Sequence, residues 1–143
     1  MKYSTLRDFY KNFRAYDEAR RELEYMYNTY RSPRPEHYAP AANGPGTTDP
    51  VTAALHRIEH RRELLAQMYA QLVDDQAEIL DWLDEINASH EFRALVISHF
   101  LSGRSWQQVS YIVYRTRSKS TSAQAFRRYL EDNEITFDPE ETA

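Results

Sequence analysis

The sequence predicts an all-α protein: a long antiparallel helical hairpin, coiled-coil-like, followed by a helix-turn-helix. Three observations carry that expectation. Apolar residues recur at alternating steps of three and four over residues 4–30 and again over 51–88. A proline- and glycine-rich stretch separates the two runs. A short apolar helix pattern and a basic one then follow each other between Ser105 and Leu130. The expected division is a helical hairpin and oligomerisation region over 1–88 with its loop at 31–50, a DNA-binding helix-turn-helix over 89–131, and an acidic flexible tail over 132–143.

The first run places Leu6, Phe9, Phe13, Tyr16, Leu23, Tyr27 and Tyr30 on one seam, with Arg20 as its one polar member. Most of these are aromatic and suit a broad packing surface better than a tight two-stranded coil. Residues 31–50 hold five of the six prolines and two of the three glycines, a composition that reads as a loop. Its end, Thr47-Thr48-Asp49-Pro50, reads as a helix start, because a hydroxyl or carboxylate caps and proline suits the first helical turn.

The second run is the strongest periodic signal in the chain. Val51, Leu55, Ile58, Leu65, Tyr69, Leu72, Ile79, Leu83 and Ile86 share a seam that only Arg62 and Gln76 interrupt. A seam of this length needs a partner, so the residues Leu55, Ile58, Arg62, Leu65, Tyr69, Leu72, Gln76, Ile79 and Leu83 are expected to mediate self-association, with a dimer favoured. The same helix carries His56-Arg57-Ile58-Glu59-His60, the H-x-x-E-H spacing of inverted zinc peptidases. No cleft-forming pattern accompanies it, and it reads as an exposed helix face. No phosphate-cradling glycine loop or nucleophile elbow is present, so neither an enzyme nor a metal or other cofactor is expected.

His90 to Leu101 reads as a further helix, with Phe92, Leu95, Val96, His99 and Phe100 on one face and Gly103 just past its end. Ser105, with Gln108 three residues on, has the spacing of a capping box. Trp106, Val109, Ile112 and Val113 are read as the inner face of the helix it starts. A basic helix begins near Ser118 and turns Ala123, Phe126 and Leu130 inward.

Charge is segregated. The net charge is −4, yet residues 89–130 hold seven Lys/Arg against Glu91 alone, whereas residues 131–143 hold six acids and no base. Such a block marks a polyanion-binding module. Lys119, Ser120, Thr121, Ser122 and Gln124 are candidates for base edges, and Arg117 or Lys119 for guanine. Arg115, Arg127 and Arg128 are placed for phosphates, with one more phosphate at Arg104 and Ser105, where a helix begins. There are no cysteines, which excludes disulfides and thiolate chemistry. No apolar run is long enough to span a membrane, and a cytoplasmic location is expected.

The run RALVISHFLSGRSWQQVSYI resembles the start of the fourth region of bacterial sigma factors, and is closer still to small phage late transcription regulators of the RinA/ArpU kind. In that group a helical N-terminal half, often with a Gly-Thr-containing loop like Gly46-Thr47-Thr48, precedes a sigma-like helix-turn-helix. The Gly103…Ser105-Trp106 step, the Ser118-Lys119-Ser120-Thr121 start of the basic helix and its Arg127-Arg128…Leu130 end follow the group's pattern. The resemblance is specific over residues 93–130. It implies a sequence-specific double-stranded DNA-binding regulator that activates phage late genes. The alternatives are a DNA-packaging protein of the small-terminase kind, and a sigma-like module that binds a protein partner such as RNA polymerase. One departure stands out: the group's glycine-containing turn is replaced by Tyr114-Arg115-Thr116-Arg117. Either the first helix runs on or the turn is an extended loop.

Overall fold

A computed structural model describes residues 1–31 and 50–140. Every named element among the described residues is a helix: α1 (Tyr3–Arg31), α2 (Pro50–Glu85), α3 (His90–Val96) continued by a π-helical turn (Ile97–Leu101), α4 (Trp106–Tyr114) and α5 (Lys119–Asp132). Of the loop expected over residues 31–50, residues 32–49, including Thr47–Asp49 of the expected helix start, lie outside the described residues; Arg31 is the last residue of α1 and Pro50 the first of α2.

The chain divides into two compact units, Met1–Phe13 with Leu72–Ala143, and Arg14–Gln71. This differs from the boundary expected near residue 88. The reason lies in the core of the larger unit, which takes in side chains from the start of α1 and the end of α2. Leu6, Phe9, Leu72, Ile79, Trp82 and Leu83 are buried there together with Phe92, Leu95, Val96, Phe100, Val109 and Phe126. Aromatic rings make up much of this core. Phe92 stacks on Tyr129 at 4.2 Å between centroids and on Phe126 at 5.4 Å, and Trp82 meets Phe92 edge-on at 6.0 Å. Such pairs stabilise beyond the area they bury.

Helix ends follow local chemistry. α2 stops at Glu85, three residues short of the expected end, because Asn87 adopts the left-handed conformation (φ 52°). Ala88 N–H then donates to the Leu83 carbonyl and Asn87 N–H to the Asp84 carbonyl, the two bonds of a Schellman ending. Arg93 reinforces it. Its guanidinium donates to the carbonyls of Ala88 and Leu83 and pairs with the Asp84 carboxylate at 2.8 Å. Ser89 caps α3 by accepting from Phe92 N–H.

The acidic stretch after α5 departs from the flexible tail expected for it. Phe137 packs between the rings of Tyr3 (5.3 Å) and Trp82 (5.5 Å), Asp138 N–H donates to the Met1 carbonyl, and the Glu140 carboxylate accepts from Ser4 N–H in the first turn of α1. One aromatic anchor and a helix N-terminus that welcomes a carboxylate hold the segment through Glu140.

In the smaller unit Ala54 and Ile58 are buried. Tyr16 meets Tyr69 at 5.8 Å, Arg61 pairs with Glu22 at 2.9 Å, and Arg62 donates to the Tyr27 hydroxyl while its guanidinium lies over the same ring. Arg62, a polar break in the α2 seam, is therefore satisfied by an aromatic residue of the α1 seam. The expected self-association set is split by burial. Ile58, Leu72, Ile79 and Leu83 are buried within the chain and unavailable to a partner, Leu65 is half-buried, and Leu55, Arg62, Tyr69 and Gln76 are exposed.

Candidate nucleic-acid interface

The candidate surface is built on α4 and α5 and the four residues 115–118 that join them. α4 begins with the capping box anticipated from Ser105 and Gln108. The Ser105 hydroxyl accepts from Gln108 N–H, and the Gln108 side-chain oxygen accepts from Ser105 N–H. Gly103, in the left-handed region at φ 70°, makes the preceding bend, and its missing Cβ leaves room for the Tyr10 ring; a Cβ there would sit 2.1 Å from a ring carbon. His99 lies against the start of α4. Its ring stacks on Trp106 at 3.7 Å between centroids, and its Nδ1 is 2.7 Å from the Arg104 carbonyl, which can only accept, so Nδ1 carries the hydrogen. Burial pushes the His99 pKa below the usual histidine value, against the opposing influence of that carbonyl.

The connection is neither a run-on helix nor an extended loop. Arg115 takes the left-handed conformation itself (φ 58°, ψ 31°), doing what a glycine does elsewhere, and closes α4 through its N–H onto the Ser110 and Tyr111 carbonyls. Ser118 starts α5 without a side-chain capping bond; its hydroxyl meets that of Ser120 at 2.9 Å.

The two helices are joined at a buried point. Ser110 donates to the Ser122 hydroxyl at 2.7 Å, Ser122 donates onward to the Trp106 carbonyl at 2.6 Å, and Ser122 N–H donates to Ser110 Oγ at 3.1 Å. Ser122 is 0% exposed. It therefore cannot be one of the base-reading residues for which its place in the sequence made it a candidate. It is a link between helices, and the inner face of α5 centres on Ser122 and Phe126, with Ala123, Tyr129 and Leu130 half-buried at its edges.

The remaining candidates fall into two groups. On α5, Ser120, Gln124, Arg127 and Arg128 are exposed at positions i, i+4, i+7 and i+8, a single helical face, with Thr121 half-buried at its edge and Lys119 exposed at the N-terminal end. Arg115 is exposed in the turn. Arg104 and Arg117 belong to a second group: they line a concavity of about 410 Å3 with Gln107, Gln108, Tyr111 and Ile112. Tyr111 and Ile112 are 59% and 45% exposed. The sequence pattern had turned Ile112 inward. Val109 and Ser110 are buried, with Trp106 and Val113 half-buried on the same side, and Ile112 sits about 60° from Val109 in the opposite sense around the helix. Gln107 and Tyr111 were missed altogether; the signal for them was the same periodicity, applied to the outer face.

Arg93 is one of the seven cations of the basic block, but it is committed to the end of α2. None of Arg104, Arg115, Arg117, Lys119, Arg127 and Arg128 forms a salt bridge with a described residue. Glu91, the block's one acid, accepts the Tyr114 hydroxyl, whose pKa is raised by burial and by that carboxylate. His56, Glu59 and His60 are all exposed on α2. Among the described residues no helix is long and apolar enough to cross a membrane. No family model matches the sequence, and neither the curated proteins nor the solved structures contain a match.

Proposed function

We propose that the chain is a sequence-specific double-stranded DNA-binding regulator of transcription, in which α4 and α5 act as a sigma-like helix-turn-helix and α5 reads the major groove. The observation that carries this reading is the outer face of α5: a row of hydroxyl, amide and guanidinium groups without acidic partners among the described residues, on a helix fixed to its neighbour by a buried hydrogen-bonded link. Ser120, Thr121 and Gln124 lie where the first turns of a recognition helix meet base edges, and glutamine pairs bidentately with adenine. Arg115, Arg127 and Arg128 contact phosphates, as do Arg104 and Arg117, which line one concavity. Ser105 contributes by holding that helix start rather than through a hydroxyl left idle. Together with the resemblance to phage late regulators, this favours activation of late genes in a bacterial cytoplasm.

Residues of α1 and α2 form a helical hairpin in this reading, and the exposed Leu55 and Tyr69 support its use in self-association. A dimer fits a regulator that engages two half-sites. The test is retention of duplex DNA by Arg127→Ala/Arg128→Ala. Affinity should fall on every duplex, and the slope of log K against log salt should flatten by about 0.9 for each phosphate that is no longer neutralised. Unchanged affinity and slope would refute the proposal that α5 faces DNA.

A further inference from the structure

The concavity on α4 includes an apolar part, Tyr111 and Ile112, that the proposed DNA contact does not use. Arg104 and Arg117 line it with Gln107 and Gln108, and Tyr111 and Ile112 leave apolar surface exposed there. Phosphates suit the arginines. They do not suit Tyr111 and Ile112, because an exposed tyrosine ring and isoleucine gain by being covered with apolar atoms. The matching partner is a helix with an apolar edge beside a row of carboxylates.

The same unit carries such a helix face. Over 74–85, α2 holds six acids and no base. Val73 and Leu80 are 46% and 37% exposed, and they lie seven residues apart on one side of the helix with Ala77 between them. Asp74 and Asp81, each the next residue along, form a parallel exposed row. Charge and apolarity both complement the concavity.

We propose that the Val73–Asp81 face of α2 from a second copy of this chain docks in the α4 concavity, its apolar edge on Tyr111 and Ile112 and its carboxylates beside Arg104 and Arg117. The two contacting surfaces differ, so the interface is heterologous and builds a ring or an open chain of copies rather than a closed two-fold pair. The two arginines are shared with the proposed phosphate contacts, so copy docking and duplex binding exclude each other at this face. Docking itself does not depend on the DNA reading.

Mixing complementation tests it. Arg104→Glu/Arg117→Glu destroys the concavity and keeps the acidic face; Asp74→Lys/Asp81→Lys does the reverse. All four positions are exposed, and circular dichroism checks that each variant is folded. In sedimentation at low salt, the full chain should gain mass with concentration beyond that of a dimer. Self-association through Leu55 and Tyr69 is untouched by these changes, so each double variant alone should stop at a dimer, and an equimolar mixture should recover a complex heavier than that. The proposal is overturned if the full chain shows no mass beyond a dimer, if either variant alone exceeds it, or if the mixture does not. It is also overturned if the only loss in Arg104→Glu/Arg117→Glu is of duplex binding, which would assign the concavity to DNA.

Discussion

The hydroxyls of Ser110 and Ser122 lie 2.7 Å apart in a site closed to solvent, and through them α5 is tied to the first residue of α4, whose carbonyl accepts the last hydrogen bond of the chain. Two small polar residues meet at this buried contact, where larger apolar ones would push the helices apart. Every donor and acceptor there has a partner; no buried side-chain nitrogen or oxygen among the described residues lacks one. Removing one hydroxyl leaves the other partly unsatisfied.

Ser122→Ala should therefore destabilise the protein by about 1–3 kcal/mol, while Ser120→Ala, on the exposed face, should change stability by less than about 0.5 kcal/mol. Adding Ser110→Ala to Ser122→Ala should cost less than the sum of the two single changes, because they share the link. Urea unfolding of the four proteins measures this.

Gly103→Ala meets two obstacles, the left-handed backbone and the Tyr10 ring. A clash at 2.1 Å requires the ring to move. The substitution should cost more than the roughly 1–2 kcal/mol of the backbone conformation alone. In a Tyr10→Ala background only the backbone part should remain. An equal cost in both backgrounds would show that the ring does not press on this turn.

Arg115 pairs a strained backbone with a charge. Arg115→Gly should relieve the left-handed strain and leave stability unchanged or raised by up to about 1 kcal/mol. In the proposed complex the same change removes one phosphate partner, so duplex affinity and its salt slope should both fall. A variant more stable but weaker on DNA separates the two roles of one residue.

Burial holds the His99 pKa below its unfolded value, so at mildly acid pH the unfolded chain binds the additional proton. Stability from the neutral ring is present above the unfolded pKa of about 6.5 and is lost as pH falls below it. His99→Gln should be less stable at pH 7 and should show a shallower fall in melting temperature between pH 7 and 5. Parallel slopes in the two proteins would exclude His99 as a source of the pH dependence.

Much of this architecture was legible from spacing. The capping box at Ser105 and Gln108, the glycine at 103 and the runs of α1 and α2 each have a local cause that the sequence displays. Position-specific backbone choices were less visible. Asn87 ending α2 and Arg115 turning between α4 and α5 both use left-handed conformations that the residue type tolerates but does not announce. The docking of Phe137 joins residues more than a hundred positions apart, which periodicity does not report. For the site, the outer face of α5 was readable from charge. Ser122 was misassigned because serine looks the same in a sequence whether it meets a base or a second serine.

The central claim is that α5 reads duplex DNA by sequence. Selection of binders from a random duplex library, followed by the salt dependence of binding to the enriched pool, tests it most directly. Sequence reading by α5 should yield a recovered motif, salt-sensitive affinity for it, and an altered base preference at one position in Gln124→Ala. Salt-sensitive binding without any motif, or no retention of duplex even at low salt, would contradict it.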